Sequence, residues 1–244
     1  MLKEKIAISI DNSLLKLIDS GVDGTMLRSR SQAIEYYLRK GMSSNSVGEA
    51  VLLLKRSHQD IALKQFKGKS LIGSQAEFFI KNGISKIYLI TEQPNKELRE
   101  SLIGMPIEII ESNSRGNSLS LMTFKERVRG NFVVMSGDTY NNFDISRMIS
   151  KHIQLNKLAT MGLMTREKPD EYGTAILDGD LIVDFSEKTR EMSSHIVNAG
   201  IYIFKPEIFE LINKPSLEKD LFPLLARIKE LVGFFTYGEY EHFG

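Results

Sequence analysis

Asp138 is the residue best placed for chemistry. It closes the run Phe132-Val133-Val134-Met135-Ser136-Gly137-Asp138, a hydrophobic strand pattern ending in Gly-Asp. A carboxylate at the carboxyl end of a strand could hold Mg²⁺, a hard cation that takes oxygen donors and bridges phosphates. A plain turn explains Gly137-Asp138 about as well. Lys55-Arg56 follows the apolar run Val51-Leu52-Leu53-Leu54, and two cations after a strand could bind a diphosphate, although such pairs are more often solvated. The four histidines, His58, His152, His195 and His242, show no metal-ligand spacing, and no Ser or Asp is placed to complete a triad. Cysteine is absent, which excludes a disulfide framework, a Cys-based metal site and thiol catalysis.

The elements that must position these residues follow from the alternation of the chain. Apolar runs at 50–54, 87–90, 107–110 and 132–135 read as buried strands. Between them, residues 75–82, 96–102 and 119–128 carry helical patterns. That order predicts an α/β fold, Rossmann-like, with a mostly parallel sheet and helices on both faces. A length of 244 residues and 42% hydrophobic composition suffice for such a core. No apolar window reaches the ~18 residues of a membrane span, and the opening Met1-Leu2-Lys3-Glu4-Lys5 is not an apolar leader core, so a cytoplasmic location is expected. The seam Ser43-Ser44-Asn45-Ser46-Val47-Gly48 lacks periodicity and reads as a linker, dividing the chain into 1–42, 43–48 and 49–244. The whole-chain charge of +1 divides unequally there: residues 1–42 hold seven basic and five acidic residues.

Within 1–42, residues 3–10 alternate strictly, with Ile6, Ile8 and Ile10 on one face and Lys3, Lys5, Ala7 and Ser9 on the other, which predicts a half-buried strand. Asp11-Asn12-Ser13 supplies cap chemistry for a helix carrying Leu14, Leu15 and Ile18, and Ser29 with Gln32 makes a capping box for a second. A unit this small needs a second copy to bury its strand. Strand, helix, turn and helix in this order resemble the ribbon-helix-helix family of DNA-binding proteins across residues 3–42. The resemblance implies a homodimer through the ribbon, with Lys3, Lys5, Ala7 and Ser9 facing the bases of double-stranded DNA and Ser29 and Arg30 clamping a phosphate.

Residues 49–244 carry Ser136-Gly137-Asp138, Glu171-Tyr172-Gly173, Glu187-Lys188, Asn198-Ala199-Gly200 and Ser216-Leu217-Glu218-Lys219-Asp220 in that order. Together these resemble the sugar-1-phosphate nucleotidyltransferases of the nucleotide-diphospho-sugar transferase type. The resemblance implies that Gly173 and Glu187 hold sugar hydroxyls and that Lys188 meets the phosphates. It also implies that Asn198 and Gly200 line the sugar pocket and that Gly137-Asp138 presents the carboxylate to Mg²⁺. The family's glycine-rich triphosphate loop is replaced by Lys55-Arg56-Ser57-His58-Gln59-Asp60, with Ile61 in the register of its catalytic lysine unless Lys64 substitutes. His242 stands where a second metal carboxylate belongs, so the Mg²⁺ site is weakened; no organic cofactor is implied. Both His58 and His242 align with active-site segments.

Those departures fall on the phosphate and metal side, while the sugar side persists. The expectation is therefore a DNA-binding transcriptional regulator whose catalytically impaired body binds a sugar nucleotide or sugar phosphate as effector. The alternatives are an active sugar-1-phosphate nucleotidyltransferase, with the first segment as an oligomerisation or autoregulatory module, and a scaffold with an empty pocket.

Overall fold

The computed structural model describes residues 6–24, 27–44, 47–188, 194–235 and 237–244, and the chain divides into two compact units, Met1–Ser46 and Val47–Gly244. In the first unit, helix α1 (Asn12–Ser20) begins where the Asp11 carboxylate accepts the Ser13 N–H at 2.8 Å. Helix α2 (Arg30–Ser44) begins at a cap in which Ser29 Oγ accepts from the Gln32 N–H and Gln32 Oε1 accepts from the Arg28 N–H. The Ser29 hydroxyl thus serves its own helix, as the capping pattern requires. Arg30 is bidentate on Asp19, with both contacts at 2.7 Å, so its guanidinium ties α2 to α1. Lys3 and Lys5 lie outside the described residues. The expected strand is not found over the described residues 6–10: they join no ladder, and Ala7 and Ser9 are exposed along with Ile6 and Ile8. A strand exists only by pairing, and among the described residues no segment pairs with residues 6–10.

The second unit is built on nine strands: β1 (Glu49–Leu54), β2 (Lys86–Thr91), β3 (Ile107–Glu111), β4 (Phe132–Ser136), β5 (Ala159–Thr165), β6 (Gly173–Asp178), β7 (Leu181–Glu187), β8 (Ile196–Phe204) and β9 (Leu231–Phe235). Their spatial order is β3-β2-β1-β4-β8-β5-β9-β7-β6. The first four run parallel, and β9 is parallel to β5. Strand β8 is antiparallel to β4, β5 and β6, and β7 is antiparallel to β6 and β9. The sheet is therefore mixed, a correction to the mostly parallel expectation. The cause is local: β6 and β7 are joined only by Gly179-Asp180, with Gly179 at φ +60°, and so short a turn must reverse the chain.

The central strands are apolar on both faces because both faces are covered. Val51, Val134 and Tyr202 point into a core completed by Leu121, Phe124, Leu217 and Phe222. Their neighbours Leu52, Val133 and Ile201 point the other way, against Ile72, Ala76 and Phe79 of helix α3 (Leu71–Lys81) and Met148 of helix α4 (Ile145–Leu155). The period-2 alternation of each strand thus fixes which helix it meets. Among the described residues, no helix is long and apolar enough to cross a membrane.

Candidate active site

Strand ends and loops of the second unit enclose a cleft of ≈ 1230 Å³. Asp138 enters it from the loop after β4. Gly137 passes close to β1: its N–H donates to the Leu53 carbonyl at 2.8 Å, and a side chain there would meet Leu54 at 3.0 Å. Gln75, fully buried in α3, donates from Nε2 to the carbonyls of Ser136 and Thr139, bracketing the loop that carries Asp138. From the other side, Tyr240–His242 pairs antiparallel with Thr139–Asn141, and the Phe243 N–H donates to the Asp138 carbonyl at 2.9 Å. Two imidazoles converge on one oxygen as a result. His58 Nδ1 donates to Asp138 Oδ2 at 2.7 Å, and His242 Nε2 stands 3.9 Å from the same atom.

The opposite wall is set by backbone geometry. Gly173 and Glu187 face each other across the β6–β7 ladder, and the Lys188 N–H donates to the Tyr172 carbonyl at 3.1 Å. No Cβ fits at 173, because one would sit 2.4 Å from Phe185 and 2.7 Å from the Glu187 carboxylate. Burial, and then the neighbouring Glu218 charge, push the Glu187 carboxyl above the ordinary glutamate range. On β8, Asn198 Oδ1 accepts the Gly200 N–H at 2.9 Å and its Nδ2 donates to the Tyr202 hydroxyl at 2.8 Å. Gly200 adopts φ +67°, and the ladder to β5 shifts register between Asn198 and Tyr202. The Asn198 amide therefore shapes the bulge that opens the wall at Gly200.

Of the sequence-expected ligand residues, Asp138, Gly173, Glu187, Lys188, Asn198 and Gly200 line this one cleft; Gly137 lies behind Asp138 as a packing residue. The structure adds Glu218, whose two oxygens accept from Asn117 Nδ2 at 3.0 and 2.9 Å and which also accepts from Ser216 Oγ. Glu218 stood in plain view inside the 216–220 segment, but only the fold brings Asn117 to it from about a hundred residues away. Gln75 gave no signal, since a buried amide within an apolar helix pattern looks like a surface residue.

The cationic end differs from a glycine loop. Strand β1 passes directly into the short 3-10 turn Arg56–His58, so Lys55 and Arg56 reach the cleft as side chains where backbone amides would otherwise serve. Ile61 and Lys64 do not line it. Lys188 and Lys219 line it as well, and Lys55, Lys188 and Lys219 all act electrostatically on Glu187.

These donors do not make a magnesium site. Mg²⁺ requires oxygen ligands at ~2.0–2.1 Å in near-octahedral order, whereas Asp138 Oδ2 is engaged by one imidazole and approached by another. Among the described residues, no group of three or more His, Cys, Asp or Glu side chains is arranged to hold a metal ion.

Comparison with known proteins places this geometry in context. The sequence model described as "Nucleotidyl transferase" matches residues 54–226. The mannose-1-phosphate guanylyltransferase catalytic subunit beta of Drosophila pseudoobscura pseudoobscura is 31% identical over 182 residues, covering 69% of this chain and 49% of its own length. That of Danio rerio is 29% identical over 196 residues, covering 75% and 54%. The chain thus spans about half the length of the curated relatives it matches. Among solved structures, the inositol-1-phosphate CTP transferase from T. maritima superposes with a TM-score of 0.67 at 16% identity, over 80% of this chain and 89% of that one. These findings overturn the expectation of a DNA-binding regulator: the relatives are named as nucleotidyltransferases, and nothing among them carries a ribbon-helix-helix reading of residues 3–42. In the structure, the side chains assigned to a phosphate clamp are committed elsewhere, Ser29 to its helix cap and Arg30 to Asp19.

Proposed function

We infer, from the premise that this chain belongs to the nucleotidyl transferase family, that its second unit binds a sugar phosphate and a nucleotide in one cleft and joins them by nucleotidyl transfer. One observation carries the reading. A single cleft combines a wall suited to sugar hydroxyls, with the Glu187 carboxylate and the close-approach glycines 173 and 200, with four cations suited to phosphates: Lys55, Arg56, Lys188 and Lys219. In the reaction, a phosphate oxygen of the sugar 1-phosphate attacks the α-phosphorus of a nucleoside triphosphate. A new P–O bond forms, the bond from the α-phosphorus to its bridging oxygen breaks, and pyrophosphate leaves.

Such a transfer needs little covalent help from the protein. Positioning and neutralisation of phosphate charge do most of it. Glu187 and the Gly173 backbone would fix the sugar ring, and Lys188, placed one residue beyond Glu187 at φ +51°, would meet its phosphate. Lys55 and Arg56 would hold the phosphates of the nucleotide and the departing pyrophosphate. The attacking phosphate oxygen is already ionised, so no general base is required. Nucleotidyltransferases of this family typically use a divalent metal such as Mg²⁺; here the donors around Asp138 do not fit one.

The test is release of pyrophosphate from each nucleoside triphosphate paired with a panel of sugar 1-phosphates. GTP with mannose 1-phosphate heads the panel because the relatives are named for that reaction. Turnover that is lost in the Lys55→Ala/Arg56→Ala double variant supports the reading; absence of release from every pair refutes it. For the first unit we propose self-association into a homodimer, supported by exposed Ile6, Ile8, Leu14, Leu17 and Leu38 around a core in which only Ile18 and Ala33 are buried among the described residues. Sedimentation of the full chain decides it: a dimer that Leu17→Lys converts to monomer is expected, and a monomeric wild type counts against it.

A further inference from the structure

We propose that phosphate binding in this cleft is independent of any divalent cation, the charge being neutralised instead by Lys55, Arg56, Lys188 and Lys219. The inference rests on the nucleotidyltransferase reading and goes beyond it. Two sets of observations carry it, one about what Asp138 is doing and one about what the cations are not doing.

Asp138 is the carboxylate that a phosphate-bridging metal would use, yet its Oδ2 already accepts the His58 Nδ1–H at 2.7 Å. The ring is held there by its place at the end of the Arg56–His58 turn, which runs straight out of β1. His242 is brought within 3.9 Å of the same oxygen by the Tyr240–His242 ladder, and the backbone of Gly244 closes the far side, where an added Cβ would meet both His58 and Asp138 Oδ2 near 3 Å. A cation at Oδ2 would have to break a charge-assisted hydrogen bond. It would then find imidazole nitrogens where Mg²⁺ favours oxygen. The histidine pair takes the place a metal would have at that oxygen, and neither contact presents anything to a phosphate.

The compensating charge lies elsewhere in the cleft. Lys67, Lys69, Lys81, Lys86, Lys96, Lys151 and Lys157 are each held by a carboxylate. Among the described residues, none of Lys55, Arg56, Lys188 and Lys219 is held in an ion pair, although all four line the one cleft. Glu92, Asp138, Glu171, Glu187 and Glu218 line the same cleft and offset the four cations across it as a whole, but none of the four is committed to an ion pair that an incoming phosphate would have to break. A diphosphate or triphosphate supplies two to four negative charges, about the number these side chains can neutralise. Lys55 and Arg56 also occupy the position at the end of β1 from which a loop would otherwise offer backbone amides. Side-chain cations there act through full charges, and Arg can grip a phosphate bidentately.

Calorimetry on the full chain tests the proposal, with GDP-mannose and GTP as probes, each titrated once in EDTA and once in excess Mg²⁺, and with Mn²⁺ titrated alone. The expected result is a Kd for each nucleotide that agrees within about twofold between the two buffers, and no Mn²⁺ binding tighter than about millimolar. Lys55→Ala/Arg56→Ala, checked for native circular dichroism, should weaken both nucleotides about ten- to hundredfold in either buffer. His242→Asp should create what the wild type lacks, a carboxylate beside Asp138, and so make GTP binding at least about tenfold tighter in Mg²⁺ than in EDTA. Nucleotide binding by the wild type that disappears in EDTA, or tight Mn²⁺ binding, overturns this inference while leaving the functional reading standing. Failure of both nucleotides to bind in either buffer overturns the two together.

Discussion

Replacing Gly173 by alanine tests the proposed sugar role of the Gly173–Glu187 wall, because one methyl group there opposes both the core and the site. The added Cβ would lie 2.4 Å from Phe185 Cζ and 2.7 Å from Glu187 Oε2. Carbon atoms normally rest about 3.5–4.0 Å apart, so the overlap with Phe185 exceeds an ångström. Phe185 cannot yield easily: it is 2% exposed and packs edge-on against Phe222 at 5.5 Å. The strand must therefore shift, or Glu187 must swing away from the cleft. Overpacking of this kind costs about 1–3 kcal/mol, which for a chain of this size lowers the melting temperature by roughly 2–12 °C. Loss of the carboxylate from its place forfeits a charged hydrogen bond of about 1.5–3 kcal/mol, or about ten- to hundredfold in affinity. Thermal melts and calorimetry with mannose 1-phosphate read the two effects separately. Gly48→Ala is the control, since a Cβ there meets nothing within 4 Å and its backbone is not left-handed. A Gly173→Ala protein that binds mannose 1-phosphate as tightly as wild type would refute the assignment of Glu187 to the sugar.

Two further predictions concern protons. Burial, helped by Lys205, lowers the His152 pKa from 6.5 to about 4, with Nδ1 at 2.8 Å from Thr160 Oγ1. Above pH 6.5 the ring is neutral in both states and costs nothing; as pH falls from 6.5 towards 4, the unfolded chain takes the proton and the native state refuses it. Stability should therefore drop by about 3 kcal/mol across that window, from 1.36 kcal/mol per unit, and urea melts of His152→Gln should lack that slope. Glu187 behaves in the opposite sense. Its pKa is raised in the fold, so its charge costs stability above the folded pKa and costs nothing below the unfolded value of 4.5. Glu187→Gln should melt higher than wild type at neutral pH, the gap closing as the pH falls through the raised pKa, while mannose 1-phosphate affinity is lost; a constant gap at all pH values would contradict the burial argument.

The parts of this molecule legible in its sequence are those written in contiguous residues. The runs around Val51, Leu89 and Val134 are strands, and the helix expected at 75–82 is observed as Leu71–Lys81. Its start escaped periodicity because the cap is Ser70, whose hydroxyl accepts the Gly73 N–H, five residues upstream of the pattern. Strand direction was not legible. Whether β8 runs with β4 or against it depends on the connection through β5, β6 and β7, and no residue within Ile196–Phe204 encodes that. The first unit misled for a related reason. Alternation at 3–10 predicts a strand only if a partner is supplied, and basic residues near a helix start suggest a phosphate only if they are not already spoken for. Asp19, eleven residues upstream, takes Arg30.

Loss of family residues is likewise not legible as loss of chemistry until the replacements are placed in space. Read linearly, Lys55-Arg56-Ser57-His58 in place of glycines and His242 in place of a carboxylate are two independent defects. In the fold they form one arrangement. The turn that carries Lys55 and Arg56 into the cleft is the same turn that ends at His58, and His58 occupies the Asp138 oxygen that the second substitution would otherwise leave without a close partner. Restoring the loop alone is therefore expected to be worse than leaving both. A glycine loop without a metal would leave the phosphates poorly neutralised, because the charges of Lys55 and Arg56 would be gone from the cleft. Under the proposal above, the coupling makes the pair of substitutions a single change of charge strategy, with side-chain cations in place of an exchangeable ion.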